Sequence, residues 1–213
     1  MNKKKSIVDA FNNNAELYQQ KFMNLESFRD TFDIFCSHLP EENAELLDIG
    51  CGPGNITQYI LNKRPEFHVF GIDIAPNMIA LAKQNNPSAS FAIIDATEIH
   101  TLKQQYDGII CGFCLPYLSQ GEVAHLITSA TQLLNKNGIL YLSTMEDDYS
   151  KSGFKSSPDG KSATYTYYHT AKYLGNLFSN YGFKTVFLER KDYIVNSLVT
   201  AIDLIMIAKK TNS

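Results

Sequence analysis

The stretch Asp48-Ile-Gly50-Cys-Gly52-Pro-Gly54 decides the fold, because it places an acid two residues ahead of glycines spaced G-x-G-x-G. An acid that closes a strand, followed by glycines that let the backbone turn tightly and approach a ligand, predicts a nucleotide pocket. A dinucleotide-binding fingerprint requires G-x-G-x-x-G instead. Counted from Gly50, its third glycine falls on Asn55, so the sequence disfavours a nicotinamide site.

A second acid, Asp73, closes the next predicted strand in Gly71-Ile-Asp73-Ile-Ala-Pro76. The separation from Asp48 accommodates one helix and one strand. A carboxylate accepts hydrogen bonds at both oxygens, so Asp73 suits a vicinal diol such as a ribose. Shorter signals follow in order: Asp95-Ala96 after a third strand, Tyr106 to Phe113 around a fourth, and Leu133 to Leu142 leading into a fifth.

Together these elements resemble the class I S-adenosylmethionine-dependent methyltransferases over residues 44–145. The resemblance implies S-adenosyl-L-methionine as cofactor and S-adenosyl-L-homocysteine as product. It assigns the methionine portion to the glycine turn, the ribose to Asp73 and the adenine edge to Asp95 and Ala96. The cofactor-binding residues predicted on this basis are Asp48, Gly50, Cys51, Gly52, Asn55, Asp73, Ile74, Met78, Asp95, Ala96, Gly112, Phe113 and Tyr18.

Each of these signals also has a purely structural interpretation. A glycine-rich turn is common between strand and helix in any doubly wound sheet, and fold does not fix function. An acid at a strand end can simply cap the next helix, as Asp95 does if it begins a turn with Glu98. Apolar residues at a helix start, such as Ile74 and Met78, are equally consistent with the core. The joint order of the motifs favours the cofactor site.

Composition limits the class of protein. The 213 residues fit one α/β domain, and a 44% hydrophobic and 19% charged content suits a soluble protein. A formal net charge of -3 argues against a nucleic-acid partner. No apolar run of about 18 residues and no signal peptide is visible, so we expect a cytoplasmic protein without a membrane span. The C-x-x-C pair Cys111 and Cys114 lacks a second ligand pair, so we predict no metal, one core thiol and one pocket-facing thiol.

The sequence predicts a single methyltransferase domain with four parts. Residues 1–40 form an N-terminal helical cap, 41–145 the cofactor-binding core, 146–170 an exposed lid or insert, and 171–213 a final helix and edge hairpin. Within the cap, one helix over the first 25 residues is predicted behind a Ser6-to-Asp9 cap. The resemblance implies a three-layer Rossmann-like sandwich with a seven-stranded, mostly parallel sheet in the order 3-2-1-4-5-7-6 and an antiparallel edge strand.

The acceptor site is less legible, because methyl transfer requires orientation more than any fixed catalytic residue. We predict substrate-binding roles for Tyr117, Glu146, Tyr165 and Tyr167, which follow strand ends or lie in the lid. His169 is the candidate general base, since its ordinary pKa suits removal of a hydroxyl proton. A surface histidine ahead of a helix and a tyrosine-rich edge strand are the alternatives.

These features predict an enzyme that transfers a methyl group from S-adenosylmethionine to oxygen or nitrogen of a small-molecule acceptor by in-line displacement. One alternative is a tRNA or protein methyltransferase, with a contact face of lysines. A second is a cofactor-binding module without turnover. The oligomeric state is left open. The lysines of that alternative contact face are Lys3 to Lys5, Lys151, Lys155 and Lys161.

Overall fold

A computed structural model describes residues 3–156, 163–195 and 198–211 of the chain, so Lys161 lies outside the described residues. Seven strands form the central sheet: β1 (Glu45–Ile49), β2 (His68–Asp73), β3 (Ser90–Ile93), β4 (Tyr106–Cys111), β5 (Leu134–Met145), β8 (Phe183–Val195) and β9 (Leu198–Lys210). The remaining two strands, β6 (Gly153–Ser156) and β7 (Ala163–Thr166), form a separate antiparallel hairpin.

Helices cover both faces of the sheet. They are α1 (Lys3–Asn13), α2 (Ala15–Phe22), α3 (Arg29–Ser37), α4 (Asn55–Lys63), α5 (Pro76–Asn85), α6 (Gln120–Leu133) and α7 (Ala171–Asn180). A capping box begins α6: the Ser119 hydroxyl accepts from the Glu122 amide, and the Glu122 carboxylate accepts from the Ser119 amide. Across the described ranges, we find no helix with the length and apolarity needed to span a bilayer.

The strand order is β3-β2-β1-β4-β5-β9-β8, which is the predicted order once the small hairpin is set aside. Strands β1 to β5 are parallel, and β9 is antiparallel to both of its neighbours. Because β9 inserts between β5 and β8, the strand of opposite direction lies one position inside the edge. The edge strand β8 pairs antiparallel with β9, as the predicted edge hairpin requires.

Two apolar cores fill the sandwich, one on each face of the sheet. On one face Val123, Leu126 and Ile127 of α6 pack with strand residues and with α7. On the other face Phe32 and Phe35 of α3 pack with α4 and with strand residues. The core on this face also includes Ile56, Ile60, Ile110, Tyr141 and Ile205. The parallel strands therefore present their carboxyl ends at one rim, where ligands bind in such sheets.

The N-terminal cap differs from the single helix that the sequence predicts. The chain leaves helical geometry at Asn14, with φ −115° and ψ 18°, and α1 and α2 are separate helices. The Asn14 side chain donates a hydrogen bond to the Ala10 carbonyl at 2.7 Å, and such local bonds compete with helix continuation. Ser6 lies inside α1 and its hydroxyl donates to the Lys3 carbonyl, so the Ser6 cap is also wrong.

The segment after β5 is more ordered than predicted. Residues 153–156 form β6, which pairs with β7 from Gly153 opposite Thr166 to Ser156 opposite Ala163. The polar composition of the segment suggested a loop, but its backbone bonds are satisfied by this distant partner. The predicted extended segment that became β7 and the helix that became α7 are present, with Thr170 capping α7 through a bond from the Tyr173 amide. Residues 157–162 of the predicted lid lie outside the described ranges.

Candidate active site

A cavity of about 370 Å³ opens at the carboxyl rim of the sheet. Its lower wall, which we call the floor, is the glycine turn at 50–54 together with Asp73. Its upper wall, which we call the roof, consists of the inward side of α1 and Tyr167, the residue that follows β7. The floor and the roof come from different parts of the chain, so the cavity forms only where both are folded.

The glycine turn needs glycine for two separate reasons. Gly50, Gly52 and Gly54 have φ values of 67°, 53° and 80°, in the left-handed region that other residues avoid. A Cβ atom on Gly50 would also lie 2.8 Å from the Cβ of Cys114. Gly50 and Gly52 line the cavity, and the missing side chains leave room for a ligand to approach their backbone.

Asp73 ends β2 and faces the turn across the floor. One carboxylate oxygen, Oδ2, accepts a hydrogen bond from the Gly52 amide at 3.0 Å, and Oδ1 accepts from the Ala75 amide at 2.8 Å. Burial raises the pKa of Asp73, and the bonds from backbone amides oppose that shift. Asp73 therefore fixes the turn and still presents lone pairs to the cavity, since a carboxylate accepts at about four positions.

Asp48 lies behind the turn and does not line the cavity. Its Oδ2 accepts a hydrogen bond from the Thr57 hydroxyl of α4 at 2.7 Å, and its buried Oδ1 has no hydrogen-bond partner. Burial raises the pKa of Asp48 to about 7. The side chain supports the junction of β1 with α4 from below.

Two further predicted cofactor residues also lie outside the cavity lining. Cys51 is buried and packs with Ile79 and Phe91 beneath the turn. Asn55 begins α4, and its side-chain amide donates to the Phe22 carbonyl at 2.9 Å, which joins the turn to α2. Like Asp48, these residues support the glycine turn from behind. Their placement argues against direct contact with a ligand.

The other predicted cofactor residues line the cavity: Tyr18, Gly50, Gly52, Asp73, Ile74, Met78, Asp95, Ala96, Gly112 and Phe113. Phe113 has φ 53°, which is uncommon for a residue with a side chain. The Phe113 amide donates to the Ser143 hydroxyl at 3.0 Å, and its ring lies edge-on to Phe28 with centroids 5.1 Å apart. These contacts hold the turn after β4 in a strained conformation, which is typical of ligand-binding turns.

Asp95 caps the short helical turn that follows β3, where its Oδ1 accepts from the Thr97 amide at 2.8 Å. Its other oxygen forms an ion pair with Lys4 of α1. Burial acts to raise the pKa of Asp95, but the bonds from Lys4 and Thr97 outweigh it and the pKa is lowered. Both interpretations of the sequence are therefore compatible with Asp95, which is at once a cap and a cavity residue.

The four predicted substrate residues separate into two groups. Tyr117 and Tyr167 line the cavity, whereas Tyr165 and Glu146 do not. Tyr165 packs edge-on against Phe154 within the hairpin. Glu146 accepts from the Ala171 amide at 2.7 Å and pairs with Arg190 of β8, so it serves the sheet edge and not the cavity. Its substrate role is corrected for that reason.

His169 is fully buried and does not line the cavity. Its Nε2 lies 3.1 Å from the Leu115 carbonyl oxygen and 3.0 Å from that of Leu118, so it donates to the loop after β4. Burial lowers its pKa and keeps the ring neutral. Nε2 carries its proton toward two carbonyls, so the basic lone pair is on Nδ1. Nδ1 is buried without a partner, so the placement argues against the predicted catalytic role.

Within the roof, the sequence predicted Tyr167 but none of the lining residues of α1. Its cavity-lining residues on α1 are spaced as one helical face and include two lysines: Lys3, Lys4, Ile7 and Phe11. The available signal was the apolar periodicity of Ile7 and Phe11, which marks a buried stripe but not what it covers. Further unpredicted lining residues are Ile94, Thr97, Leu118 and Glu122. Cys111 is buried and Cys114 faces the cavity, as predicted for the two thiols.

Comparison with known proteins places the chain in a family. Residues 20–188 match the family model of the methyltransferase domain, so the chain belongs to the methyltransferase-domain family. The resemblance to class I S-adenosylmethionine-dependent methyltransferases is confirmed. A magnesium protoporphyrin IX methyltransferase from Synechocystis, solved with bound S-adenosylmethionine, has a TM-score of 0.71 at 17% identity, covering 99% of this chain and 98% of that one. At this identity the likeness establishes the fold alone.

Two curated relatives share part of the sequence. The malonyl-(acyl-carrier protein) O-methyltransferase of Acetivibrio thermocellus is 30% identical over 149 residues, covering 66% of this chain and 50% of that protein. The trans-aconitate 2-methyltransferase of Escherichia coli is 33% identical over 105 residues, covering 49% and 40% respectively. The chain thus spans half the length or less of these relatives.

Proposed function

We propose that the protein binds S-adenosylmethionine in this cavity and transfers a methyl group to oxygen or nitrogen of a small-molecule acceptor. The observation that carries the proposal is the floor. There Asp73 and the backbone of Gly52 are joined by a 3.0 Å hydrogen bond, at the carboxyl rim of a parallel sheet and beside an open cavity. This arrangement pairs an acceptor of diol hydroxyls with a turn whose cavity-lining residues, Gly50 and Gly52, have no side chains.

The residues present fit the cofactor. Asp73 uses one position on each oxygen for a backbone amide, which leaves one or more on each for the ribose hydroxyls. Gly50 and Gly52 line the cavity without side chains of their own, so their backbone is accessible to the methionine portion. Ile74 and Met78 present apolar atoms for the adenine ring, and Asp95 and Ala96 face its edge.

S-adenosylmethionine supplies an activated sulfonium methyl group when bound. The protein's own contribution is to orient the acceptor and to keep water out, and orientation alone can supply about 7–11 kcal/mol of a barrier. Phe11, Tyr18 and Tyr117 pack against one another beside the cavity, with Phe11 5.8 Å from Tyr18 and 5.0 Å from Tyr117 between ring centroids. This aromatic group excludes water from the space between floor and roof.

A small-molecule acceptor is supported by the roof and by the relatives. Because α1 crosses the cavity, the space that remains beside a cofactor suits a small group better than a folded macromolecule. Oxygen is supported as the acceptor atom by the first relative, which is named an O-methyltransferase. The net charge of -3 gives no support to the tRNA alternative.

Calorimetric titration tests the proposal directly. We expect S-adenosylmethionine and S-adenosylhomocysteine to bind at one site and to compete with each other. NAD is the matched control, since it offers a similar adenosine with a different remainder, and it should give no competition. Absence of binding by both sulfur nucleosides at high micromolar concentration would refute the proposal. Binding without transfer to any acceptor in a broad panel would favour the cofactor-binding module.

A further inference from the structure

The roof holds a cation in an unusual setting. Nζ of Lys3 donates a hydrogen bond to the Tyr167 hydroxyl at 3.0 Å and lies 3.6 Å from the centre of the Tyr165 ring. Lys3 and Tyr167 both line the cavity, although they are far apart in the chain. Tyr149 stacks on Tyr167 with centroids 6.0 Å apart, which fixes the plane of that ring. The ammonium and the hydroxyl are therefore adjacent groups on one wall.

Both groups retain unused hydrogen-bond donors. An ammonium has three protons, and Lys3 donates one to Tyr167 and turns toward the face of Tyr165. The Tyr167 oxygen accepts that bond, so its own proton remains available. Within residues 3–156, 163–195 and 198–211, no carboxylate forms an ion pair with Lys3. The bond to Tyr167 raises the pKa of Lys3, so the side chain is a cation at neutral pH.

The acids of the cavity are already engaged. Asp73 accepts from two backbone amides, and Asp95 accepts from Thr97 and pairs with Lys4. Glu122 accepts from the amide and hydroxyl of Ser119 at 2.7 Å and 2.6 Å. At Nζ of Lys3 and the hydroxyl of Tyr167, the lining thus offers unused donors and one positive charge that no carboxylate of the described residues pairs. An amine would be repelled at that point, whereas an anion with acceptor oxygens is complementary.

We propose that the methyl acceptor is a small carboxylic acid whose carboxylate is bound jointly by Nζ of Lys3 and the hydroxyl of Tyr167. This inference rests on the proposed function and narrows it to a class of acceptor. Two adjacent donors match the two oxygens of a carboxylate. Tyr149, stacked on Tyr167, and Tyr165, tilted against it, restrict where those donors can move. Lys3 is then a specificity-determining residue of the roof.

A matched panel of acceptors tests the class. Short aliphatic acids, including malonic acid half-thioesters and trans-aconitate, are compared with the corresponding primary amides and amines, using tritiated S-adenosylmethionine. We expect transfer to at least one acid, at a rate at least tenfold above that of its amide, and with no rise in rate between pH 7 and 9. Equal or greater transfer to the amides or amines overturns the inference. So does a protein that binds S-adenosylmethionine but methylates none of the acids.

Substitutions test the site itself. With the best acid, Lys3→Gln should raise KM at least tenfold, Tyr167→Phe should raise it severalfold, and Lys3→Arg should retain most of the activity. The affinity for S-adenosylhomocysteine, measured by calorimetry, should be unchanged, which separates this inference from the proposed function. Lys172→Gln, an exposed lysine of α7, is the charge-matched control. An unchanged KM in Lys3→Gln overturns the assignment.

Discussion

The floor and the roof of the cavity are built in opposite ways. The floor is formed by short contiguous motifs, with backbone amides, glycines in left-handed conformations and the buried carboxylate of Asp73. The roof is formed by side chains of α1, a helix without a single fully buried residue, and by a contact between Lys3 and Tyr167. The floor is therefore part of the core, and the roof is attached to it.

This difference separates two tasks. Backbone groups recognise one fixed ligand geometry, because their positions cannot change unless the chain refolds. A ligand held by exposed side chains can be changed by single substitutions at low cost in stability. We therefore expect changes in the floor to affect folding and cofactor binding strongly, and changes in the roof to affect mainly the acceptor.

Gly50→Ala gives the largest expected effect and tests the rigidity of the floor. The left-handed backbone costs a residue with a Cβ roughly 1–2 kcal/mol, and overlap with Cys114 adds about 1–3 kcal/mol. We expect the free energy of unfolding in denaturant to fall by about 2–5 kcal/mol. Gly175→Ala is the control, because a Cβ there meets no atom within 4 Å and lies in a helix. If both variants unfold alike, the floor is not rigid.

Asp73→Ala tests whether the floor binds the cofactor. Loss of charge-assisted hydrogen bonds costs roughly 1.5–3 kcal/mol, so the Kd for S-adenosylmethionine should rise about 10- to 150-fold. Asp73→Asn keeps the size of the side chain and separates the charge from packing. Asp192→Ala, on the exposed side of β8, is the control. Calorimetry that finds unchanged affinity in Asp73→Ala would remove this residue from the site.

His169→Ala tests the junction between floor and roof. The variant leaves the Leu115 and Leu118 carbonyls without their donor, so the free energy of unfolding at pH 8 should fall by about 1–3 kcal/mol. Burial lowers the pKa of His169, so the unfolded chain binds the proton more readily. The parent should therefore lose stability as pH falls below about 6.5, and the variant should lack that slope.

The exposed His125 provides the control, since His125→Ala should leave the free energy of unfolding at pH 8 unchanged. A general base would behave differently from a buried donor. Turnover in His169→Ala would then fall at unchanged stability, and the acidic limb of the rate profile would disappear. That result would restore the catalytic role that the placement of His169 argues against.

Lys4→Gln gives the smallest expected effect and tests the weakness of the roof. The ion pair with Asp95 is solvent-exposed on the lysine side, where such pairs contribute about 0–1 kcal/mol. We expect stability and cofactor affinity to change by less than about 1 kcal/mol, and the difference to vanish in high salt. In the same unfolding experiment, a larger loss of stability would mean that the roof is not weakly attached. In the same calorimetric experiment, a larger loss of cofactor affinity would mean that the roof also binds the cofactor.

Sequence reasoning reached the floor because its signals are local. The glycines after β1 and the acid after β2 lie within short motifs, and parallel strands bring their ends together without further information. The motifs therefore predicted the cavity edge and most of the residues that line the floor, whereas the strand order followed from the family resemblance.

The remaining features depend on contacts between distant parts of the chain. Lys3 contacts Tyr167, which lies 164 residues later in the chain. Glu146 pairs with Arg190 of β8 instead of lining the cavity. The burial of His169 depends on two carbonyls more than 50 residues earlier, at Leu115 and Leu118. No periodicity or motif encodes such pairs. The contribution of α1 to the roof and the positions of Glu146 and His169 therefore required the three-dimensional structure.

The position of β9 sets a condition on how the chain can fold. Residues 139–145 of β5 pair with β9, and β8 pairs with β9 and not with β5, although β8 is made first. During synthesis β8 therefore has no neighbour in the sheet until residues 198–210 leave the ribosome. Until then one side of β5 offers free backbone groups to other chains, so aggregation of shortened chains should begin at that strand.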